Sequence, residues 1–160
     1  MAPRTVSTWT PAAQEGKANN NNSFYLCANR GKKSVTVNIA SPEGQDIIRE
    51  LAKSCDVMME NYKVGDLKRY GLDYETIKKL NPGIIYCSVT GFGQTGPYAQ
   101  RAGYDAILQA MGGLMSVTGH IDGEPGAGPM KVGPSIVDYM TGMNTSIGIL
   151  SALYHRDANG

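Results

Sequence analysis

Residues 1 to 22 carry no periodic apolar pattern and end in the run Asn19 to Asn22, which predicts an exposed or disordered lead-in. Patterning begins after it, so the ordered domain is expected over residues 23 to 160. Ser34 to Ile39 (SVTVNI) alternates β-branched with polar residues and predicts a strand. Ser41-Pro42-Glu43-Gly44 then opens a helix whose apolar positions Ile47, Ile48 and Leu51 recur at helical spacing. Val57 to Met59 predicts a short strand, Leu67 to Tyr70 and Tyr74 to Leu80 short helices, and Ile84 to Val89 a continuous apolar strand. A helix from Tyr104 to Met111, a glycine-rich connection and a long helix from Ile136 to His155 complete the chain.

Strands without polar alternation, separated by helices, imply a mostly parallel sheet covered on both faces, the doubly wound α/β arrangement. Ligands bind such sheets at the carboxyl ends of the strands. Two strand ends run into conspicuous loops, Glu60-Asn61-Tyr62-Lys63 and Thr90-Gly91-Phe92-Gly93-Gln94-Thr95-Gly96-Pro97, and these are the first candidates for a ligand site.

Composition narrows the function. With 160 residues and 41% apolar content, the chain is sufficient for one domain. Fifteen basic against fourteen acidic residues leave a net charge of +1 with no basic run, which argues against nucleic acid as a partner. Apolar runs such as Ile147 to Leu153 are far shorter than the ~20 residues that span a bilayer, and no export signal is visible, so a cytoplasmic protein without a membrane partner is expected. Cys27, Cys55 and Cys87 are odd in number and widely spaced, with Cys55 and Cys87 next to or within apolar runs that read as strands, and all three read as reduced core thiols rather than metal ligands. Glycine is the unusual count: 20 of 160 residues against an average near 7%. The excess between Gly91 and Gly142 suggests backbone passing close to a ligand, although a loop-rich segment would look the same.

Several residues carry two readings. Pro134-Ser135-Ile136-Val137-Asp138 reads as a helix start, with Ser135 as N-cap and Asp138 as the acidic member of a capping box. An Asp in a first helical turn is equally suited to be a nucleophile, since free backbone N–H groups and the helix dipole keep it ionised. Gly142, one turn later, leaves that face bare for a ligand. GFGQTGP lacks the Lys-Ser/Thr ending of a P-loop and does not fit GxGxxG, so it is a weak nucleotide signature. His120 and His155 are given no catalytic role, the pairs Lys32-Lys33, Lys68-Arg69 and Lys78-Lys79 read as surface charge, and the methionines, including Met111, Met115, Met140 and Met143, read as core filler.

Taken in order, ENYKVG, LNPGIIYCSVTGFGQTGPYAQRAGYD, GGLMSVTG and VDYMTG with LSALYHR resemble the motif order of the CaiB/BaiF-type family III coenzyme A transferases, from about Trp9 to Gly160. The resemblance implies a partial Rossmann-like large domain of an interlocked homodimer. It implies an acyl-CoA donor and a carboxylic acid acceptor as partners, and no permanently bound cofactor, coenzyme A being a substrate. By the same correspondence Asp138 is the nucleophile, and the coenzyme contacts fall on Val37, Asn61, Tyr62, Lys63, Arg69, Ala102, Gly103, Tyr104 and Asp105. Lys63 and Arg69 suit the coenzyme phosphates and Tyr62 its adenine.

Departures qualify the match. Val64 stands where the family's loop has proline, and Ala40 and Ala102 stand where some relatives have lysine, which puts those phosphate contacts in question. Ser7 replaces an arginine for which Arg4 is a nearby stand-in. Racemases of the same family carry a proton-transferring histidine at the position of Tyr104, which favours the transferase. The alternatives are an acyl-CoA racemase or epimerase and a non-catalytic CoA-binding fragment. The family's opening strand and helix and its later glycine-rich loop are not found in the chain, so an internal fragment, poorly active by itself, is expected.

Overall fold

The computed structural model describes residues 28–159. The expected lead-in at residues 1 to 22 and Cys27 lie outside the described residues. Helix α1, Pro42–Ser54, starts where the sequence places it: the Ser41 hydroxyl accepts from the Gly44 N–H at 3.1 Å, with proline at the first position and Glu43 in the first turn. Its buried face is Gly44, Ile48 and Ala52, a spacing of four, while Ile47 stays half-exposed. Gly44 is required by contact rather than by backbone angle, because a Cβ there would meet the Asn38 carbonyl oxygen.

Strand β1, Val57–Glu60, and strand β2, Ile85–Ser88, form a two-stranded parallel sheet, with Val57 opposite Ile85 and Glu60 opposite Ser88. The crossover between them holds a 3-10 turn at Asp66–Tyr70 and helix α2, Tyr74–Leu80. Ile48, Ala52, Met58, Leu67, Leu72, Ile77 and Ile84 pack into one core between helices and sheet. Leu72 and Ile77 are fully buried, each contributing about 1.5–3 kcal/mol by leaving water. Asn81 closes the end of α1: its side-chain amide donates to the carbonyls of Ala52 at 3.0 Å and Cys55 at 2.9 Å, groups that helix geometry leaves unpaired. The Tyr86 hydroxyl donates to the Leu72 carbonyl at 2.8 Å, and burial, with Glu60 and Asp73 nearby, pushes its ionisation far above the ordinary range.

Helix α3, Asp105–Met111, leads into a 3-10 turn at Leu114–Val117, and helix α4, Ile136–Asn159, ends the described chain. Arg156 ties α4 to the sheet's entry edge, with Nη2 3.0 Å from Asp56 and Nη1 donating to the Gly83 carbonyl at 3.2 Å. Among the described residues no helix is long and apolar enough to cross a membrane.

Two expectations are corrected. Ser34 to Ile39 forms no strand; Val37 and Ile39 do turn toward the core, as the alternation requires, but no neighbouring strand among the described residues offers a ladder. The methionines divide: Met58 is core, whereas Met111, Met140 and Met143 are more than half exposed. The last two share one face of α4 with Ile147, Leu150 and Tyr154, all exposed, so periodicity identified an apolar stripe that this chain does not cover.

Candidate active site

A cavity of about 1010 Å³ opens at the carboxyl ends of both strands. Glu60, Asn61 and Tyr62 reach it from β1, and Val89, Thr90 and Gly91 from β2. Parallel strands deliver both loops to one edge, which is why the sheet direction positions a site at all. The Asn61 side-chain N–H donates to the Val89 carbonyl, stitching the two loops together, and the Tyr62 N–H donates to Glu60 Oε2 at 2.7 Å. The Thr90 hydroxyl oxygen is buried in this wall with no hydrogen-bond partner among the described residues.

Gly91 crosses Gly103 at the cavity edge. A Cβ on Gly91 would lie 2.4 Å from the Gly103 Cα, and one on Gly103 would lie 2.5 Å from the Gly91 Cα. Two backbones can touch here only because neither carries a side chain. Beyond Gly91 the glycine-rich loop turns away from the cavity: Phe92 and Tyr98 meet edge to face at 5.6 Å, and the Arg101 guanidinium lies 4.2 Å over the Tyr98 ring. Its glycines serve the loop's own turns, with Gly93 and Gly96 in left-handed conformations.

Gly103, Tyr104 and Asp105 form the next part of the wall. Asp105 is buried, with both carboxylate oxygens engaged: the Val137 N–H donates to Oδ1 at 2.9 Å and Gln109 Nε2 donates to Oδ2 at 2.6 Å. Lys131 Nζ lies 3.9 Å from Oδ2. Asp105 therefore caps α4 from a distant segment, satisfying an N–H in that helix's first turn. The cap expected from a Ser135 and Asp138 box is thus supplied from α3 instead.

Asp138, in the first turn of α4, lines the cavity beside Thr141 and Gly142. A Cβ on Gly142 would meet nothing within 4 Å, so that face of the helix is open. Desolvation against the wall and, after it, the negative charge of Asp105 raise the Asp138 carboxyl above its ordinary value. The free N–H groups and dipole of that turn, expected to hold Asp138 ionised, therefore do not lower its carboxyl: desolvation outweighs them, and Asp105 both adds its charge and occupies the Val137 N–H.

Of the residues singled out in the sequence, Val37, Asn61, Tyr62, Gly103, Tyr104, Asp105 and Asp138 line this one cavity. Lys63, Arg69 and Ala102 lie outside its wall and are exposed. Arg69 stacks over the Tyr70 ring at 4.7 Å, with Nη2 3.9 Å from Asp66. Sequence reasoning missed Lys32 and Lys33, which line the cavity rather than sitting apart from it, and Gln109. The spacing of Gln109, four residues after Asp105 on one helix, was a usable signal. His120 and His155 are exposed and absent from the wall, and the Cys87 thiol, pushed up by burial and by Glu60, is not part of it. Among the described residues no group of three or more His, Cys, Asp or Glu side chains is gathered for a metal.

Comparison with known proteins gives this geometry its context. The chain is 46% identical over 154 residues to a succinate–glutarate CoA-transferase of Agrobacterium fabrum, covering 95% of this chain and 38% of that protein. It is 47% identical over 137 residues to the human succinyl-CoA:glutarate CoA-transferase, covering 86% of this chain and 30% of the relative. The crystal structure of a CaiB/BaiF family protein from Brucella suis superposes with a TM-score of 0.83 at 45% identity, over 96% of this chain and 39% of that one. The chain thus spans about two fifths or less of the length of these relatives. The sequence model of CoA-transferase family III matches residues 4–160, and with these likenesses it shows that the chain belongs to CoA-transferase family III.

Proposed function

We propose that this chain carries the nucleophile of an acyl-CoA:carboxylate CoA-transferase, with Asp138 as the acylated residue. The observation that carries the reading is the position of Asp138: a carboxylate of raised basicity in the first turn of a helix, on the wall of a strand-end cavity, with a bare glycine one turn away. Attack of its oxygen on the thioester carbonyl breaks the C–S bond, giving a mixed anhydride and CoA thiolate. The thiolate then attacks the aspartyl carbonyl, forming an aspartyl-CoA thioester and releasing the donor carboxylate. An acceptor carboxylate repeats the two steps in reverse, and no net proton or electron is consumed. A carboxylate suits the task because its acyl derivatives are close in energy to those of donor and acceptor, so neither half-reaction falls into a deep well.

The coenzyme lies, on this reading, along the strand-end loops, against Val37, Asn61, Tyr62 and the Gly103 to Asp105 segment, which line the same cavity as Asp138. Lys63, Arg69 and Ala102 border the coenzyme's outer end, where phosphates remain in water. Residues 23 to 160 form part of the large coenzyme-binding domain of a homodimer. The names of the similar transferases make succinyl-CoA with glutarate the first donor and acceptor to test. Incubating the complete polypeptide with succinyl-CoA, quenching, and measuring the mass of the peptide bearing Asp138 tests the reading. An adduct of CoA mass at Asp138, cleaved by hydroxylamine, is expected. A turning-over enzyme with no adduct there, or deuterium wash-in beside the thioester carbonyl without any acceptor acid, would overturn it.

A further inference from the structure

Gln109 is completely buried, and both ends of its amide are used. Nε2 donates to Asp105 Oδ2 at 2.6 Å, and Oε1 accepts from the Val132 N–H at 2.9 Å. These partners fix the amide's orientation, since an ionised carboxylate only accepts and a backbone N–H only donates. Asp105 passes the constraint on, accepting the Val137 N–H at 2.9 Å, next to Asp138 in the chain. One side chain on α3 therefore connects three pieces of backbone: its own helix, the segment at Val132 that approaches α4, and the first turn of α4. An apolar side chain of the same volume would fill the space, but it would leave the part-buried Val132 N–H without its acceptor and the buried Asp105 Oδ2 with only Lys131 Nζ at 3.9 Å.

We propose that Gln109 is a positioning residue for the transfer reaction, acting through Asp105 and Val132 to hold the start of α4, and with it Asp138, against the cavity. The inference rests on Asp138 being the acylated residue. It concerns placement: the clamp contributes to the rate by fixing the direction of the attacking oxygen, and it touches neither coenzyme nor acid.

The test uses the complete polypeptide with succinyl-CoA and glutarate. Gln109→Leu keeps the volume and removes both hydrogen bonds; kcat falls by about 10²-fold, the scale of a misplacement near 1 Å, while KM for succinyl-CoA changes little. Gln109→Glu supplies a readout that a filler role would not move. A carboxyl at this depth faces Asp105 from its own helix, and Asp105 in turn has Lys131 at 3.9 Å and interacts with Asp138 of α4. Only its protonated form can donate to Asp105, and burial beside a carboxylate raises its pKa. Turnover of this variant relative to the parent at the same pH is therefore near parity at the acid end and falls as pH rises.

A folded Gln109→Leu variant with the parent kcat overturns the proposal, and so does a Gln109→Glu ratio that is flat across pH. If Gln109→Leu does not fold, the Gln109→Glu ratio decides. Hydrogen exchange at the Val132 and Val137 amides reads the clamp without turnover: both exchange faster in a folded Gln109→Leu protein, and unchanged protection sinks the inference. A parent enzyme that never acylates Asp138 instead overturns the proposed function, while the exchange result still reports on the clamp.

Discussion

Replacing Gly103 by alanine isolates the backbone crossing on which the cavity edge depends. The new Cβ would sit 2.5 Å from the Gly91 Cα and 3.3 Å from the Gly91 carbonyl carbon. Carbon atoms rest at about 3.5–4.0 Å, so one of the two segments must retreat by roughly 1 Å. Neither glycine has a left-handed φ, so alanine adds no intrinsic backbone strain and the cost is steric. Forced overpacking of this kind costs about 1–3 kcal/mol. A shift of that size in Gly103 also moves Tyr104 and Asp105, enough to break the 2.9 Å bond from the Val137 N–H. Urea unfolding should therefore lose about 1–3 kcal/mol of stability, and succinyl-CoA turnover in the complete polypeptide should fall further than unfolding explains. Gly133→Ala is the control, since its Cβ meets nothing within 4 Å. A Gly103→Ala protein within about 0.5 kcal/mol of the parent would refute the reasoning, because surface-like neutrality is incompatible with a backbone contact that close.

Gly142→Ala should separate stability from function: with open space around the new methyl group, helix propensity gains up to about 1 kcal/mol in thermal unfolding, while transfer slows because the methyl narrows the approach to Asp138. Asp138→Asn should abolish the CoA-mass adduct and alter the pH dependence of stability. The Asp138 carboxyl is raised above 3.8 in the folded chain, so the folded state binds that proton more tightly than the unfolded one and the parent loses stability as pH climbs through that range; the variant, which does not titrate, gains on it from acid to neutral pH, and an advantage that shrinks over that rise would contradict the assignment. Turnover of the parent should fall as pH drops through the same raised value, since only the ionised carboxylate attacks. Asn81→Ala leaves the Ala52 and Cys55 carbonyls without their side-chain donor and should cost about 1–3 kcal/mol in urea unfolding, a loss that Asn81→Asp cannot rescue because a carboxylate does not donate.

What the sequence could reveal follows from how local the determinant is. Helix α1 was readable because Ser41, Pro42 and the Ile48 face all act within one turn or two, and β1 and β2 because continuous apolar runs in a covered sheet need no particular partner to be recognised. Ser34 to Ile39 was misread because strand formation requires a neighbour, and alternation reports only which side faces the core. Met140 and Met143 were misread for a related reason: a stripe at helical spacing says that a face prefers to be covered, and says nothing about whether this chain supplies the cover. The motif order brought seven of the ten singled-out residues to one cavity, while Gln109 offered only its four-residue spacing from Asp105, which places the two on one helix face without saying that the face is buried.

The placement of Asp105 shows why helix start and nucleophile cannot be considered separately. Its carboxylate satisfies an N–H in the first turn of α4, an interaction that stabilises the helix and fixes the direction in which Asp138 leaves it. After desolvation, the larger cause, the same negative charge disfavours ionisation of Asp138. A neutral capping side chain would remove that second contribution and leave the desolvation. On the proposed reading the raised proton affinity matters to the chemistry, because in its ionised form a more basic carboxylate is a better nucleophile toward a thioester than an ordinary one. The buried Gln109 amide is part of the arrangement: by donating to the second Asp105 oxygen at 2.6 Å it gives that buried group the hydrogen bond its removal from water requires, and leaves the first oxygen to accept from Val137.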